Sequence, residues 1–301
     1  MGTETERRFG FVAVVGAPNT GKSTLINQLV GEKVTIVTPK VQTTRTLVRG
    51  ICIEGGAQIV FVDTPGIFVP KRRFERAMVA AAWRGAADAD LVLLLVDTER
   101  GITGEARHIL EGLRKAGRKA ILILNKIDRI QREKLLGLAA ELNATGLFTD
   151  TFMISALKGD GIDDVRRHLA ASVPSGPWMF PEDQVSDLPS RLLAAEITRE
   201  KLFLQLRQEL PYSLAVVTES FEEREQGDIR IEQEILVQRV SQKAIVLGEG
   251  GGRIKEVGTA SREELEEIFG KRIHLFLRVK VRKDWLEDPE RYRDLGLDYD
   301  A

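Results

Sequence analysis

The feature that most constrains this chain is a glycine-containing loop, GAPNTGKS, at residues 16–23, which matches the pattern GxxxxGK[ST]. The apolar run before it, residues 11–15, predicts a buried strand, and residues 24–30 predict a helix. In that context backbone N–H groups and the helix dipole converge on an anion. The sequence therefore predicts a nucleotide-phosphate site. We assign its contacts to Gly16, Ala17, Pro18, Asn19, Thr20, Gly21, Lys22, Ser23 and Thr24.

Two side chains of this loop carry most of the expected chemistry. Lys22 brings a full positive charge to the β- and γ-phosphates, and the Ser23 hydroxyl is suited to ligate Mg²⁺. Because phosphoryl transfer depends mainly on positioning and charge stabilisation, we also assign Lys22 a catalytic role.

A second motif, DTPG, at residues 63–66, ends the apolar run 59–62. An aspartate at the C-terminal end of a strand faces the phosphate site, so we expect Asp63 to hold Mg²⁺ through water. We expect the N–H of Gly66 to lie near the γ-phosphate, which makes Gly66 a catalytic candidate. Thr64, Pro65 and Ile67 complete the predicted pocket wall.

A third motif, NKID, at residues 125–128, follows the apolar run 120–124. The two oxygens of Asp128 match two adjacent N–H donors of guanine and mismatch adenine. We expect Asn125 to tie this loop to the phosphate loop and Lys126 to lay its stem over the base. Residues Ser155 and Ala156 follow the predicted strand 151–154 and offer a backbone N–H to the guanine O6.

In this order, each at a strand end, the four segments resemble the motifs of the Ras-like GTPase superfamily over about residues 9–172. The resemblance implies GTP and GDP as ligands, with Mg²⁺. Ile67 stands where many members carry a water-orienting glutamine, which implies slow intrinsic turnover. The sequence QTTR, residues 42–45, resembles the Era and MnmE branch, with Thr44 as the expected catalytic magnesium ligand and Thr43 as the alternative. In that branch a residue like Asn19 is associated with potassium.

Composition sets broad limits. The 301 residues are enough for two domains, and 43% hydrophobic with 30% charged residues is ordinary for a globular chain. A net charge of −1 gives no general attraction to nucleic acid. The single cysteine, Cys52, allows no internal disulfide, and the N-terminal residues lack the apolar segment of a signal peptide. We therefore expect a cytoplasmic protein. Separately, we expect a monomer.

Strand and helix patterns alternate through residue 172, which predicts a doubly wound, mostly parallel α/β sheet for residues 1–172. Predicted strands lie near 11–15, 47–53, 58–62, 91–96, 120–124 and 151–154, and predicted helices near 22–30, 74–87, 104–116, 131–143 and 161–171. Residues 173–189 contain four prolines and read as a stiff linker. A second domain is expected over 190–301.

In the second domain we expect a helix over 192–210, strands over 212–217 and 229–240 joined at Gly227-Asp228, and a strand over 244–247 that enters the loop Gly248–Gly251. A helix from Gly252 and a strand over 273–281 follow. The order α-β-β-α-α-β resembles a type II KH domain, in which a GxxG loop clamps about four single-stranded nucleotides.

Basic and acidic side chains nearly balance in the second domain, so RNA binding must rest on a local patch. We assign the RNA contacts to Gly248, Glu249, Gly250, Gly251, Lys243, Arg253 and Lys255, with Arg239, Lys271 and Arg272 as further candidates. Glu249 departs from the basic residue that is frequent at this position of the family, and its charge repels phosphate.

The pairing of a GTPase with a KH domain, together with REKLF at 199–203 and ELPYS at 209–213, resembles the Era family over nearly the whole chain. The resemblance implies binding to the 3′ region of 16S rRNA, assistance to assembly of the 30S subunit, and some peripheral association with the inner membrane.

Three alternatives remain open. A tRNA-modifying GTPase of the MnmE type is disfavoured, because this chain shows neither a C-terminal cysteine nor a large N-terminal domain. A small-molecule kinase is disfavoured by NKID. A KH adaptor that holds GTP without hydrolysing it is left open by Ile67, although Lys22, Ser23 and Asp63 argue against it.

Overall fold

The computed structural model describes residues 7–207 and 210–301. The N-terminal residues 1–6 and Glu209 of the ELPYS sequence lie outside the described residues. The chain forms two compact units. The first comprises the chain through Thr35, Thr44–Asp187 and Arg293–Ala301, and the second comprises Ile36–Thr43 and Leu188–Tyr292.

The first unit is built on a six-stranded sheet of order β2-β3-β1-β4-β5-β6, in which β2 is antiparallel to β3 and the other pairs are parallel. Its strands are β1 (Arg8–Gly16), β2 (Val48–Glu54), β3 (Ala57–Asp63), β4 (Leu91–Asp97), β5 (Ala120–Asn125) and β6 (Phe148–Ile154). Its helices are α1 (Lys22–Val30), α2 (Arg73–Asp88), α3 (Gly104–Lys115), α4 (Arg132–Asn143) and α5 (Ile162–Ser172). The predicted doubly wound, mostly parallel sheet is confirmed.

Helices cover both faces of this sheet because its strands are apolar on both sides. Along β1, Val12 and Val14 join a cluster with α1 and α5, whereas Ala13 and Val15 join a second cluster with α2, α3 and α4. Side chains alternate between the faces of a strand, so a continuous apolar run needs cover on each side. The central strands are thereby fixed, and the loops at their C-terminal ends stay free for binding.

The prediction of a stiff linker over 173–189 is wrong for most of its length. Residues through Asp187 belong to the first unit, where they pack along β2 and β3. The buried amide of Gln58 donates to the carbonyl of Phe180 at 2.8 Å and accepts two N–H groups of this segment at 3.0 Å. The prolines therefore stiffen a docked strap. The assignment of all of 190–301 to the second domain is also corrected, because Arg293–Ala301 joins the first unit, where Thr46 donates to the carbonyl of Leu295 at 2.7 Å.

The second unit has a three-stranded sheet of order β7-β8-β9, with β7 antiparallel and β9 parallel to β8. Its elements are α6 (Ser190–Gln205), β7 (Leu214–Glu223), β8 (Ile229–Val237), α7 (Val240–Leu247), α8 (Gly252–Phe269) and β9 (Ile273–Val281), and α9 (Pro289–Asp294) follows. This order, α-β-β-α-α-β, is the one expected from the resemblance to a type II KH domain. Within the described ranges, no helix is both long and apolar enough to cross a bilayer.

The predicted strand over 244–247 is wrong, because these residues end helix α7. Four apolar residues have no period that separates a strand from a helical turn. The decisive signals are polar: the side chain of Gln242 accepts the N–H groups of Gln238 and Arg239 at 2.8 and 2.9 Å, and Gly248, with φ of 74°, ends the helix. The helix predicted over 192–210 ends at Gln205, and the strand predicted over 229–240 ends at Val237.

Candidate functional site

The motifs of the first unit meet at one edge of its sheet. Gly16, Asp63 and Asn125 are the last residues of β1, β3 and β5, and Ser155 directly follows β6. The C-terminal ends of parallel strands share an edge, so segments far apart in sequence form one crevice there.

The phosphate loop presents backbone donors to this crevice. Gly21, with φ of 98°, precedes α1, and no side chain caps that helix, so its first N–H groups are available for an anion. A Cβ at Gly16 would lie 2.7 Å from the carbonyl oxygen of Leu95, and one at Gly66 2.9 Å from the Pro18 side chain. Only glycine fits where the predicted phosphate contacts converge.

Lys22 lies buried behind the loop. Its Nζ donates to the carbonyls of Gly16 and Ala17 at 3.2 and 3.0 Å. Burial lowers the pKa of Lys22 to about 8, and the nearby charge of Asp63 opposes that shift. A desolvated ammonium with only carbonyl partners is suited to receive phosphate oxygens.

The candidate magnesium site is a cluster of hard oxygen ligands around one carboxylate. Asp63 Oδ2 accepts from Ser23 at 2.8 Å, from Thr44 at 3.1 Å and from Thr35 at 2.8 Å, and the Ser23 and Thr44 hydroxyls lie 3.0 Å apart. Asp63 Oδ1 is buried with no hydrogen-bond partner in the described chain, and burial raises the pKa of this carboxyl above its usual value. A hard cation with its waters would satisfy that oxygen, so the donor set fits Mg²⁺.

The two candidate threonines separate in space. Thr44 lies in the oxygen cluster, whereas the Thr43 hydroxyl bonds the Thr38 hydroxyl and donates to the Lys40 carbonyl, each at 2.6 Å. Thr35 joins the cluster although no motif marks it in the sequence. Across the described residues, no group of three or more His, Cys, Asp or Glu side chains is placed to hold a metal. The cluster of one carboxylate and three hydroxyls around Asp63 is therefore the metal site that we consider.

The base-recognition residues also meet. Asn125 donates to the carbonyl of Thr20 at 2.8 Å and accepts the N–H of Ala156 at 3.0 Å, so one side chain joins three loops. The Ser155 hydroxyl donates to Asp128 at 2.7 Å, and this hydrogen bond holds the pKa of Asp128 below its usual value. The carboxylate is therefore kept ionised and oriented for two N–H donors.

A cavity of about 140 Å³ lies beside this carboxylate, lined by Gly21, Thr24, Asn125, Lys126, Asp128, Arg129, Ala156 and Leu157. Its wall includes a residue that the motifs do not mark, because Leu157 is 71% exposed and offers an apolar surface to a base. A second unmarked residue, Asp97, lies 2.6 Å from Lys126 Nζ, which also donates to the carbonyl of Asn19 at 2.9 Å. Asp97 ends β4, so its position at a strand end was the available signal.

Ile67 does not face the crevice. Its side chain is fully buried in the apolar cluster of Ala13 and Val15, and its N–H donates to the carbonyl of Gly16 at 3.1 Å. It therefore shapes the loop after Gly66 and has no polar group with which to orient water.

In the second unit, the GxxG loop presents bare backbone. Gly250 and Gly251 have φ of 56° and 77°, and a Cβ at either would meet no atom within 4 Å. On the preceding α7, Val240 and Ile245 are 74% and 49% exposed. An open glycine backbone next to a helix with exposed apolar side chains is suited to single-stranded nucleic acid, because its phosphates can approach the backbone and its bases can contact the apolar groups.

The predicted basic patch is only partly available. Lys243 and Lys255 have no ion pair in the described chain, and Lys255 is exposed. Arg253 instead donates to the carbonyl of Ile245 and braces the GxxG loop, and Lys271 pairs with Glu223. Glu249 is exposed at the loop tip, next to the expected phosphate path.

Comparison with known proteins gives two family matches. A model described as 50S ribosome-binding GTPase matches residues 11–126, and a KH domain model matches residues 209–286. The two matches fall on the two predicted domains.

Curated relatives cover nearly the whole chain. GTPase Era of Rhizobium meliloti is 61% identical over 97% of this chain and 93% of its own length, and GTPase Era of Brucella suis is 59% identical over 98% and 95%. Two solved structures share the fold, each with a TM-score of 0.91 and 40% identity over 96% of this chain and 99% of theirs. One is Era in complex with MgGDPNP and nucleotides 1506–1542 of 16S ribosomal RNA, and the other is an Aquifex aeolicus Era variant bound to GDP·AlF4⁻. The chain belongs to the Era family of GTPases, with a P-loop GTPase domain followed by a KH domain.

Proposed function

We propose that this chain is a GTP-driven switch that binds the 3′ region of 16S rRNA through its KH domain and assists assembly of the 30S subunit. The observation that carries this proposal is the exposed GxxG backbone, which follows the exposed Val240 and Ile245 of α7, in a chain whose relative is seen with that RNA. The model described as 50S ribosome-binding matches only the GTPase domain, so the KH domain is the better guide to the RNA partner.

For hydrolysis, Ser23, Thr44 and Asp63 would hold Mg²⁺, with Thr35 as a further hydroxyl beside the same carboxylate. When bound, Mg²⁺ supplies charge neutralisation to the phosphate oxygens. Lys22 adds a second positive charge, and the N–H of Gly66 is a donor for the γ-phosphate. The apolar side chain of Ile67 cannot orient the attacking water. We therefore expect slow turnover that depends on positioning and charge stabilisation alone.

We extend the proposal to potassium, location and assembly state. A K⁺ ion held near Asn19 would neutralise developing charge in the role that an arginine finger plays in other GTPases. We further propose a cytoplasmic monomer that associates peripherally with the inner membrane, where the single cysteine supports the cytoplasmic location and the family resemblance supports the membrane association. Fractionation of cells into soluble and membrane pools tests the location, and a mass of one chain by light scattering tests the assembly state.

The RNA proposal is tested with an oligonucleotide covering the 3′ end of 16S rRNA and the full-length protein loaded with a GTP analogue. The variant Gly250→Asp/Gly251→Asp places two negative charges on the open loop without a steric clash. We expect its RNA affinity to fall by about tenfold or more, with a change in salt dependence. GTP turnover without RNA should stay near the parent value.

The matched control is Gly250→Asn/Gly251→Asn, because asparagine has the shape of aspartate and also tolerates left-handed backbone. It separates charge from shape and should bind RNA better than the aspartate variant. Glu249→Lys should tighten binding and steepen its salt dependence by about one phosphate contact. Equal RNA affinity for the parent and the aspartate variant would show that the loop is only a turn between two helices.

A further inference from the structure

The segment Ile36–Thr43 connects two hydroxyls of the magnesium cluster, because Thr35 precedes it and Thr44 follows it. The segment itself belongs to the second unit, where it packs on helix α6. Its apolar anchor is Ile36, which is 2% exposed and joins the cluster of Ala194 and Ile197.

Charged side chains of α6 bind the backbone of this segment. Glu200 accepts the N–H of Val37 at 2.8 Å. The guanidinium of Arg199 donates to the carbonyls of Thr43 and Gln42. Both ends of the segment are therefore tied to adjacent residues of one helix.

The segment also binds α6 in return. Lys40 donates through Nζ to the carbonyls of Phe203 and Leu206, at 2.5 Å for the second. These carbonyls lie at the C-terminal end of α6, where unpaired carbonyls and the helix dipole favour a cation.

The two charged residues of α6 that bind this segment, Arg199 and Glu200, are buried, which indicates that they do more than add stability. Arg199 is 2% exposed and Glu200 is 3% exposed, and Glu196 holds the Arg199 guanidinium through Nε at 2.8 Å. Buried ion pairs add little net stability, because desolvation offsets their attraction. A leucine at position 199 would fill the same space by packing alone. The planar guanidinium of Arg199 instead holds two carbonyl groups in fixed directions.

Arg199 holds the carbonyl oxygen of Thr43, the residue directly before Thr44. The Thr43 carbonyl and the Thr44 N–H belong to one planar peptide group, so fixing the first orients the second. Thr44 Oγ1 must reach Asp63 and the bound cation, and displacement by about 1 Å at such a site costs about a hundredfold in rate.

We propose that Arg199, supported by Glu200 and Lys40, is a positioning residue that presents Thr44 for GTP hydrolysis. Because the segment is tied at both ends to α6, a nucleotide that holds Thr44 in place also favours this docked segment.

The test compares full-length Arg199→Ala and Arg199→Lys with Arg191→Ala as the matched control. Arg191 lies on the same helix and also donates to two carbonyls, those of Thr218 and Glu219 at 2.8 and 2.9 Å, but those belong to β7. We expect Arg199→Ala to lower kcat between about tenfold and a hundredfold. GDP affinity should stay within about twofold of the parent, and kcat of the control should not change. Arg199→Lys should recover only part of the loss.

Hydrogen exchange separates a positioning role from a general loss of stability, because it measures the difference in amide protection between two nucleotide states. In the parent, a GTP analogue with Mg²⁺ should protect residues 36–43 and α6 more than GDP does, and Arg199→Ala should abolish that difference. If Arg199→Ala does not fold, Lys40→Ala breaks the contact from the segment side and should reduce kcat and the exchange difference in the same direction. A folded Arg199 or Lys40 variant with parental kcat and parental exchange, or an equal loss in Arg191→Ala, overturns the proposal.

Discussion

Replacing Ile67 by alanine separates stability from catalysis at the position where many related GTPases carry glutamine. The side chain is fully buried among Ala13 and Val15, so truncation removes apolar contacts and leaves a cavity. Isoleucine-to-alanine changes in such cores cost about 2–5 kcal/mol. The backbone hydrogen bond from Ile67 to the carbonyl of Gly16 does not depend on the side chain and is retained.

The assay pairs urea unfolding with GTP turnover under conditions where the variant is folded. We expect a loss of about 2–5 kcal/mol in the transition of the first unit, while kcat stays within about threefold of the parent. Ile109→Ala is the matched control, because Ile109 is also fully buried in the same cluster but lies on α3. It should lose similar stability without a change in kcat.

A fall in kcat of more than about tenfold, equal to about 1.4 kcal/mol of activation free energy, in Ile67→Ala but not in Ile109→Ala would show that Ile67 acts on the reaction. Ile67→Gln gives a second check. It should destabilise the fold without raising kcat, because the amide would enter an apolar core and not the crevice.

Three further outcomes are expected. Asp128→Asn should shift nucleotide preference from GTP to XTP, because xanthine carries a carbonyl where guanine has its amino group, and unchanged GTP preference in competition binding would disprove the base assignment. Turnover should be faster in K⁺ than in Na⁺, and Asn19→Gly should erase that difference; glycine is chosen because Asn19 has φ of 63°, and equal parental rates in both salts would eliminate the ion. Burial raises the pKa of Cys52 from 9.0 to about 12, so its contribution to stability is complete below pH 9 and is lost as pH rises toward 12. Urea unfolding between pH 9 and 11 should therefore show a smaller loss for Cys52→Ala than for the parent, and parallel losses would contradict the shift.

The sequence predicted the GTPase domain well because its signals are local. Each motif follows an apolar run, and the strand, loop and helix around Gly16–Ser23 need no distant partner to be recognised. The same rule places Asp63 and Asn125 at strand ends, and the structure brings them to one crevice. Asp97 ends β4 in the same way, but it lies in no motif that the sequence analysis used.

The errors come from distant contacts that a local pattern does not contain. Residues 173–187 are rich in proline and read as a spacer, yet the buried amide of Gln58, more than a hundred residues away, fixes them to the sheet. The REKLF sequence begins with three charged residues, a residue type that is mostly exposed in folded proteins. Arg199 and Glu200 are buried because they serve the backbone of residues 36–43. Charge alone therefore misjudges burial wherever a second segment supplies the partners.

The threonine pair of QTTR shows why chemistry alone does not assign a ligand. Thr43 and Thr44 carry identical hydroxyls, so residue type does not distinguish them. The structure does, because the Thr43 hydroxyl serves Thr38 and Lys40 inside the segment, whereas the Thr44 hydroxyl reaches Asp63. The boundary between the two units falls at the peptide bond between these threonines. The Thr43 hydroxyl is held by Thr38 and the Thr44 hydroxyl lies beside Asp63, so we expect Thr44, and not Thr43, to contact a cation bound at that carboxylate.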